Sequence, residues 1–165
     1  MVNNAGIIRR GDAVDFTEED WAAVMDVNLK ALSFTTQAFA REVMENNGLE
    51  AVVNIASLLS FQGGVCVPSY TASKHGVAGL TKLMANEWAS KGINVNAVAL
   101  GYIETNNTEV LRADVNRNVA ILDRIPAGRW GKATDIAGAA VFLCTHAAVY
   151  IHGATLNVDG GWLAR

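Results

Sequence analysis

An α/β fold, a parallel sheet covered by helices on both faces, is what this sequence predicts. Three observations carry that reading. Short β-rich apolar runs alternate with longer stretches of helical periodicity, the order expected of parallel strands joined by crossover helices. About half of the 165 residues are apolar and 18% are charged, enough to bury a sizeable core. With only two prolines and no Ser- or Gln-rich tract, nothing favours disorder.

The elements follow in order. The chain opens on the last residues of a strand ending at Val2. A helix is predicted to open at Thr17, with Glu18, Glu19 and Asp20 at the positive end of its dipole, and to run to about Glu45. Residues 51–56, after Asn47-Gly48, read as a buried strand. A second helix runs from about Tyr70 to Ser90, with Val77, Leu80, Leu83, Met84 and Trp88 repeating on one face. Residues 93–99, after Lys91-Gly92, form the next strand. A third helix opens at Thr134-Asp135 and carries Ile136, Val141, Phe142 and Leu143. Residues 154–158 are a last, shorter strand ending at Asp159-Gly160-Gly161. No repeat, low-complexity tract or linker interrupts the chain, so residues 1–165 read as a single folding unit.

Composition excludes several classes. With 13 Lys+Arg against 16 Asp+Glu the net charge is −3, which gives no footprint for nucleic acid. The longest strongly apolar run, residues 137–144, is far too short to span a bilayer. Met1-Val2-Asn3-Asn4 has neither a basic n-region nor an apolar h-region, so no secretory signal is expected. Cys66 and Cys144 do not make a disulfide framework, and reduced thiols in a cytoplasmic enzyme are the expectation. His75, His146 and His152 lack ligand-like spacing, so no metal site is expected.

The residues that carry chemistry are Ser57, Tyr70 and Lys74. Tyr70 and Lys74 stand four apart at a helix start and share one face. A free tyrosine has a pKa of about 10 and serves poorly as a neutral-pH acid or base. A neighbouring ammonium favours the phenolate and would lower that value. Ser57, just past the buried strand, is placed to hydrogen-bond a carbonyl or alcohol oxygen. Tyr-x-x-x-Lys alone also fits an ordinary surface turn; its neighbours decide the matter.

Those neighbours are Asn3-Asn4-Ala5-Gly6 after the first strand, Asp26-Val27-Asn28 within a helix, and Asn54-Ile55-Ala56-Ser57 thirteen residues before Tyr70. Tyr70-Thr71-Ala72-Ser73-Lys74 and Asn94-Val95-Asn96-Ala97-Val98 complete the set. In this order and spacing the sequence resembles the short-chain dehydrogenase/reductases over its whole length. The segments 7–10, 58–64, 67–70, 84–88, 105–108, 121–131 and 159–165 resemble the sugar-acid branch of that family. The resemblance implies a Rossmann-like doubly wound parallel sheet, present here from about its fourth strand onward, and so a single partial domain. It implies hydride transfer between NAD, with NADP as the alternative, and a secondary alcohol or ketone of a sugar acid. That substrate would be of the 2-deoxy-D-gluconate or 2-dehydro-3-deoxy-D-gluconate type, with gluconate as competitor.

By resemblance Tyr70 is the proton donor and acceptor. Lys74 lowers its pKa and holds the nicotinamide ribose. Ser57 orients the reacting oxygen, and Asn28 holds a water that relays protons through Lys74. Asn4, Ala5 and Gly6 pass the adenosine ribose, and Gly101, Ile103 and Thr105 line the nicotinamide side. A homotetramer paired through the long helices is implied. From the residues themselves, Gln62 is a candidate substrate contact. Arg9 and Arg10 are either a carboxylate fork or exposed charges, and Cys66 is either a pocket edge or incidental.

Two departures matter. Leu100-Gly101 stands where the family has Pro-Gly, which should add chain freedom beside the nicotinamide. No G-x-G-x-x-G or comparable strand-to-helix turn occurs, so the pyrophosphate cradle and the residue choosing NAD or NADP are expected to be missing. A non-catalytic remnant or interaction partner is the alternative function class.

Overall fold

The computed structural model describes residues 1–164 and contains one four-stranded sheet, all parallel, in the order β1-β2-β3-β4. Its strands are β1 (Val2–Asn3), β2 (Glu50–Ser57), β3 (Ile93–Leu100) and β4 (Thr155–Val158). Ser57 aligns with Leu100, and Leu100 with Val158, so β2, β3 and β4 end at one level. The helices are α1 (Glu18–Met25), α2 (Leu32–Glu45), α3 (Pro68–Trp88), α4 (Glu109–Ala113), α5 (Val115–Leu122) and α6 (Ala133–Leu143). Arg165, the last residue of the 159–165 segment quoted above, lies outside the described residues.

Both faces of β2 and β3 are covered, which is why they read as apolar runs. On one face Val52, Ala56, Ile93, Val95, Ala97 and Ala99 pack against α2 and α3 through Leu32, Ala40, Val43, Val77 and Met84. On the other, Val53, Ile55 and Val98 meet Leu143 of α6 and Ala148. Three asparagines interrupt these apolar runs, and two of them, Asn54 and Asn96, are buried and paired. Asn54 Nδ2 donates to Thr81 Oγ1 (2.9 Å) while its Oδ1 accepts from Asn3 Nδ2 (2.8 Å), which also reaches Thr36 Oγ1 (2.8 Å). Asn96 bridges the Ile151 carbonyl and the Ala154 N–H.

The structure corrects several element expectations. The helix expected over residues 17–45 contains a π-helical stretch at Asp26–Ala31 that separates α1 from α2. Leu83 is 49% exposed and does not belong to the buried face of α3, and Val141 and Phe142 point away from the core on α6. Helices α4 and α5 carry no apolar stripe long enough to announce them. Helix α6 opens at Ala133, with Asp135 in its first turn accepting from the Lys132 N–H (2.7 Å) and held in a fork by Arg129.

Candidate active site

Parallel strands bring their carboxyl ends to one side, where open α/β sheets bind ligands. Ser57 is the last residue of β2 and is buried. The chain then turns tightly through Leu58–Ser60, where Ser57 Oγ accepts from the Leu59 N–H (3.2 Å) and Ser60 Oγ donates to the Lys74 carbonyl (2.7 Å). That second bond ties the end of β2 to α3. Helix α3 starts on Pro68, where a proline's missing N–H costs nothing. Tyr70 and Lys74 follow one turn apart on its first two turns. The Ser57 hydroxyl faces the Tyr70 phenol and favours its ionised form. Lys74 is buried, its Nζ donating to the Ile55 carbonyl (2.6 Å) and lying 5.6 Å from the Tyr70 ring centroid.

This geometry reverses one expectation. Burial raises the Tyr70 pKa above its ordinary value, and the Ser57 hydroxyl and the charge of Arg10 oppose that rise without overcoming it. The Lys74 ammonium contacts a main-chain carbonyl and the ring face rather than the phenol oxygen. Burial brings Lys74 itself down to about 8.

Ser57 and Tyr70 form part of the wall of a cavity of about 380 Å³, which Gln62, Gly101, Tyr102 and Trp162 also line. The Trp162 indole donates Nε1–H to Gln62 Oε1 (3.2 Å) and packs on Tyr102 with ring centroids 4.7 Å apart. Arg10, Arg117 and Arg124 border the same space, and no Asp or Glu lines it among the described residues. The Arg124 guanidinium lies 4.0 Å over the Trp162 ring.

The remaining expected residues divide into near and far. Asn28 is buried in the π-helical stretch, its Nδ2 donating to the Ile7 carbonyl (2.9 Å) and to Ser73 Oγ (3.3 Å) and its Oδ1 accepting from the Ile7 N–H (2.8 Å). It thereby fixes the loop after β1 against α3. Asn4, Ala5 and Gly6 are exposed on that loop. Gly101 lines the cavity, but a Cβ there would stand 2.5 Å from the Asp159 Cα, so glycine is needed for the close approach of the turn after β4. Leu100 pairs with both Ser57 and Val158, and this ladder removes the extra freedom expected of it. Ile103 is buried, bridges to Gly131 and borders a separate cleft, and Thr105 is exposed. Arg9 pairs with Asp20 (3.3 Å), so only Arg10 of that pair reaches the cavity. Cys66 donates to Asp12 Oδ1 (3.1 Å), and His75 is exposed. Tyr102, Arg117, Arg124 and Trp162 had no assigned role in the sequence reading. No local pattern joins residues so far apart in the chain.

A family model described as enoyl-(acyl carrier protein) reductase, one of the short-chain dehydrogenase models, matches residues 1–163. The chain belongs to the short-chain dehydrogenase/reductase family. It is 58% identical over all 165 residues to the 2-dehydro-3-deoxy-D-gluconate 5-dehydrogenase of Escherichia coli K12 and spans 65% of that relative's length. A solved Agrobacterium tumefaciens structure with bound NADP, provisionally assigned as a 2-deoxy-D-gluconate 3-dehydrogenase, superposes with a TM-score of 0.98 at 76% identity, covering 99% of this chain and 67% of that one. A Burkholderia cenocepacia gluconate 5-dehydrogenase in complex with NADP and tartrate gives a TM-score of 0.97 at 39% identity, covering 99% and 64%. Within the short-chain dehydrogenase/reductase frame, the four-stranded sheet is a Rossmann-like arrangement and Ser57, Tyr70 and Lys74 stand at its strand ends.

Proposed function

We propose that the protein is an oxidoreductase that moves hydride between a nicotinamide cofactor and a secondary alcohol or ketone of a sugar acid, of the 2-dehydro-3-deoxy-D-gluconate or 2-deoxy-D-gluconate type. The observation that carries this is the placement of Ser57 and Tyr70 together in the wall of a cavity bordered by three arginines. The names of the relatives support the substrate class, and the tartrate complex of one of them is itself a hydroxy-acid complex.

The residues at hand fit the nicotinamide end of such a cofactor. Lys74 has three N–H donors and uses one on Ile55, which leaves two for ribose hydroxyls. Asn4–Gly6 and Gly101 present open backbone at the same carboxyl edge. The bound nicotinamide, of NAD or NADP, supplies the hydride acceptor or donor. Tyr70 Oη gives its proton to the substrate oxygen in ketone reduction and takes it back in alcohol oxidation. Ser57 Oγ orients that oxygen. Arg10 favours the phenolate when Tyr70 must act as base. Asn28 has both amide hydrogens engaged, so a relay water at this residue would donate to it. Gln62, held by Trp162, faces the substrate space.

Tyr70→Phe in the native protein keeps the ring and removes the proton. Turnover of the sugar acid should fall by roughly 10²–10⁴, with the circular dichroism spectrum unchanged. Near-normal turnover would overturn the proposal.

A further inference from the structure

We propose that Arg124 is the residue that selects for an acid, its guanidinium holding the substrate carboxylate at the end of the cavity walled by Trp162; this rests on the sugar-acid reading above. The chain as a whole is acidic, with a net charge of −3, yet among the described residues its cavity is bordered by Arg10, Arg117 and Arg124 and by no Asp or Glu. Unopposed guanidinium groups around a small polar space favour an anionic ligand, and the planar guanidinium fork matches a carboxylate in particular. The three arginines are not equivalent. Arg10 donates to the Asn107 carbonyl (3.3 Å) and its charge acts on Tyr70, which places it at the reacting end. Arg117 and Arg124 are both exposed, and Arg117 has no ion pair among the described residues. Arg124 alone of the three lies over an aromatic ring, its guanidinium carbon 4.0 Å from the Trp162 ring centroid. That ring is itself buried, hydrogen-bonded to Gln62 and packed on Tyr102. The contact with the ring restrains the Arg124 side chain, so less of its freedom is lost when its N–H groups donate to a ligand.

The test compares the sugar acid with its neutral amide in the native protein. Wild-type protein should prefer the acid. Arg124→Ala should raise KM for the acid about 10–100-fold, with a smaller effect on kcat and on the KM for the cofactor, and should leave the amide nearly unaffected. Arg124→Lys keeps the charge without the fork and should fall between; it also serves if the alanine variant does not fold. Arg10→Ala and Arg117→Ala should retain the preference for the acid. If Arg124 variants keep that preference, if Arg10 or Arg117 removes it instead, or if the cofactor KM rises in its place, the inference is overturned while the sugar-acid reading stands. If wild-type protein does not prefer the acid, the sugar-acid reading itself fails and takes this inference with it.

Discussion

At the scale of single residues, Lys74 concentrates the conflict between stability and chemistry. It is 5% exposed, the one hydrogen bond of its ammonium among the described residues goes to a main-chain carbonyl, and burial lowers its pKa from 10.5 to about 8. Below pH 8 both folded and unfolded chains carry the proton, so the full cost of burying the charge is felt. Between about 8 and 10.5 the folded protein gives up the proton first, the unfolded chain binds more protons, and stability rises with pH. The gain is bounded at about 3 kcal/mol. Tyr70 acts in the opposite sense at higher pH: its raised pKa means the unfolded chain ionises first, which costs stability above about 10. Urea unfolding of wild type and Lys74→Met from pH 7.5 to 9.5 should show a rising midpoint for wild type and a flatter one for the variant. Parallel curves would mean that Lys74 titrates near its ordinary value. The same burial explains why sequence spacing identified the pair but misjudged Tyr70: separation along a helix is local, whereas desolvation depends on everything packed around it.

At the scale of elements, the buried asparagines bear most on the placement of β1. This strand is two residues long, and its tie to the sheet runs through Asn3, Asn54, Thr36 and Thr81. Asn54→Ala would remove one hydrogen bond from Asn3 and one from Thr81, leaving Asn3 held by Thr36 and Thr81 by the Val77 carbonyl, which should cost about 1–3 kcal/mol. The loss should appear as a lower denaturant midpoint and faster amide exchange around residues 1–7; an unchanged midpoint would show that water replaces the amide. Strands β2 and β3 and helix α3 were legible in the sequence because both faces of the strands and one face of the helix are apolar. Helices α4 and α5 were not, because at five and eight residues each is too short for its apolar spacing to stand out from a loop. The break between α1 and α2 was hidden for a different reason: the π-helical stretch coincides with Asn28, whose bonds to Ile7 and Ser73 exist only once the fold has formed. Of the site, the Ser57–Tyr70–Lys74 spacing could be read directly, but the position of Arg124 over the Trp162 ring could not.

At the scale of the whole molecule, the surface is more apolar than an isolated chain of this size tolerates well. Trp21 and Phe34 on α1 and α2 are 42% and 59% exposed, and Val141 and Phe142 on α6 are 62% and 41% exposed. Tyr150 is 96% exposed, and β1, at the sheet edge, leaves Val2 half exposed. Scattered apolar side chains are ordinary on a surface, but these recur on successive helices and beside an open strand edge, the pattern of surfaces that another chain covers. The 165-residue chain should therefore self-associate, in keeping with the homo-oligomer proposed from the family resemblance. Size exclusion with light scattering at micromolar concentration should give a species larger than a monomer. Phe34→Glu and Phe142→Glu put a charge on the two helical surfaces without touching the core. If association runs through helix faces, at least one of them should shift the mass downward with little change in the unfolding midpoint. If both leave the mass unchanged, the open edge at β1 is the contact instead, and a monodisperse wild-type monomer would overturn self-association altogether.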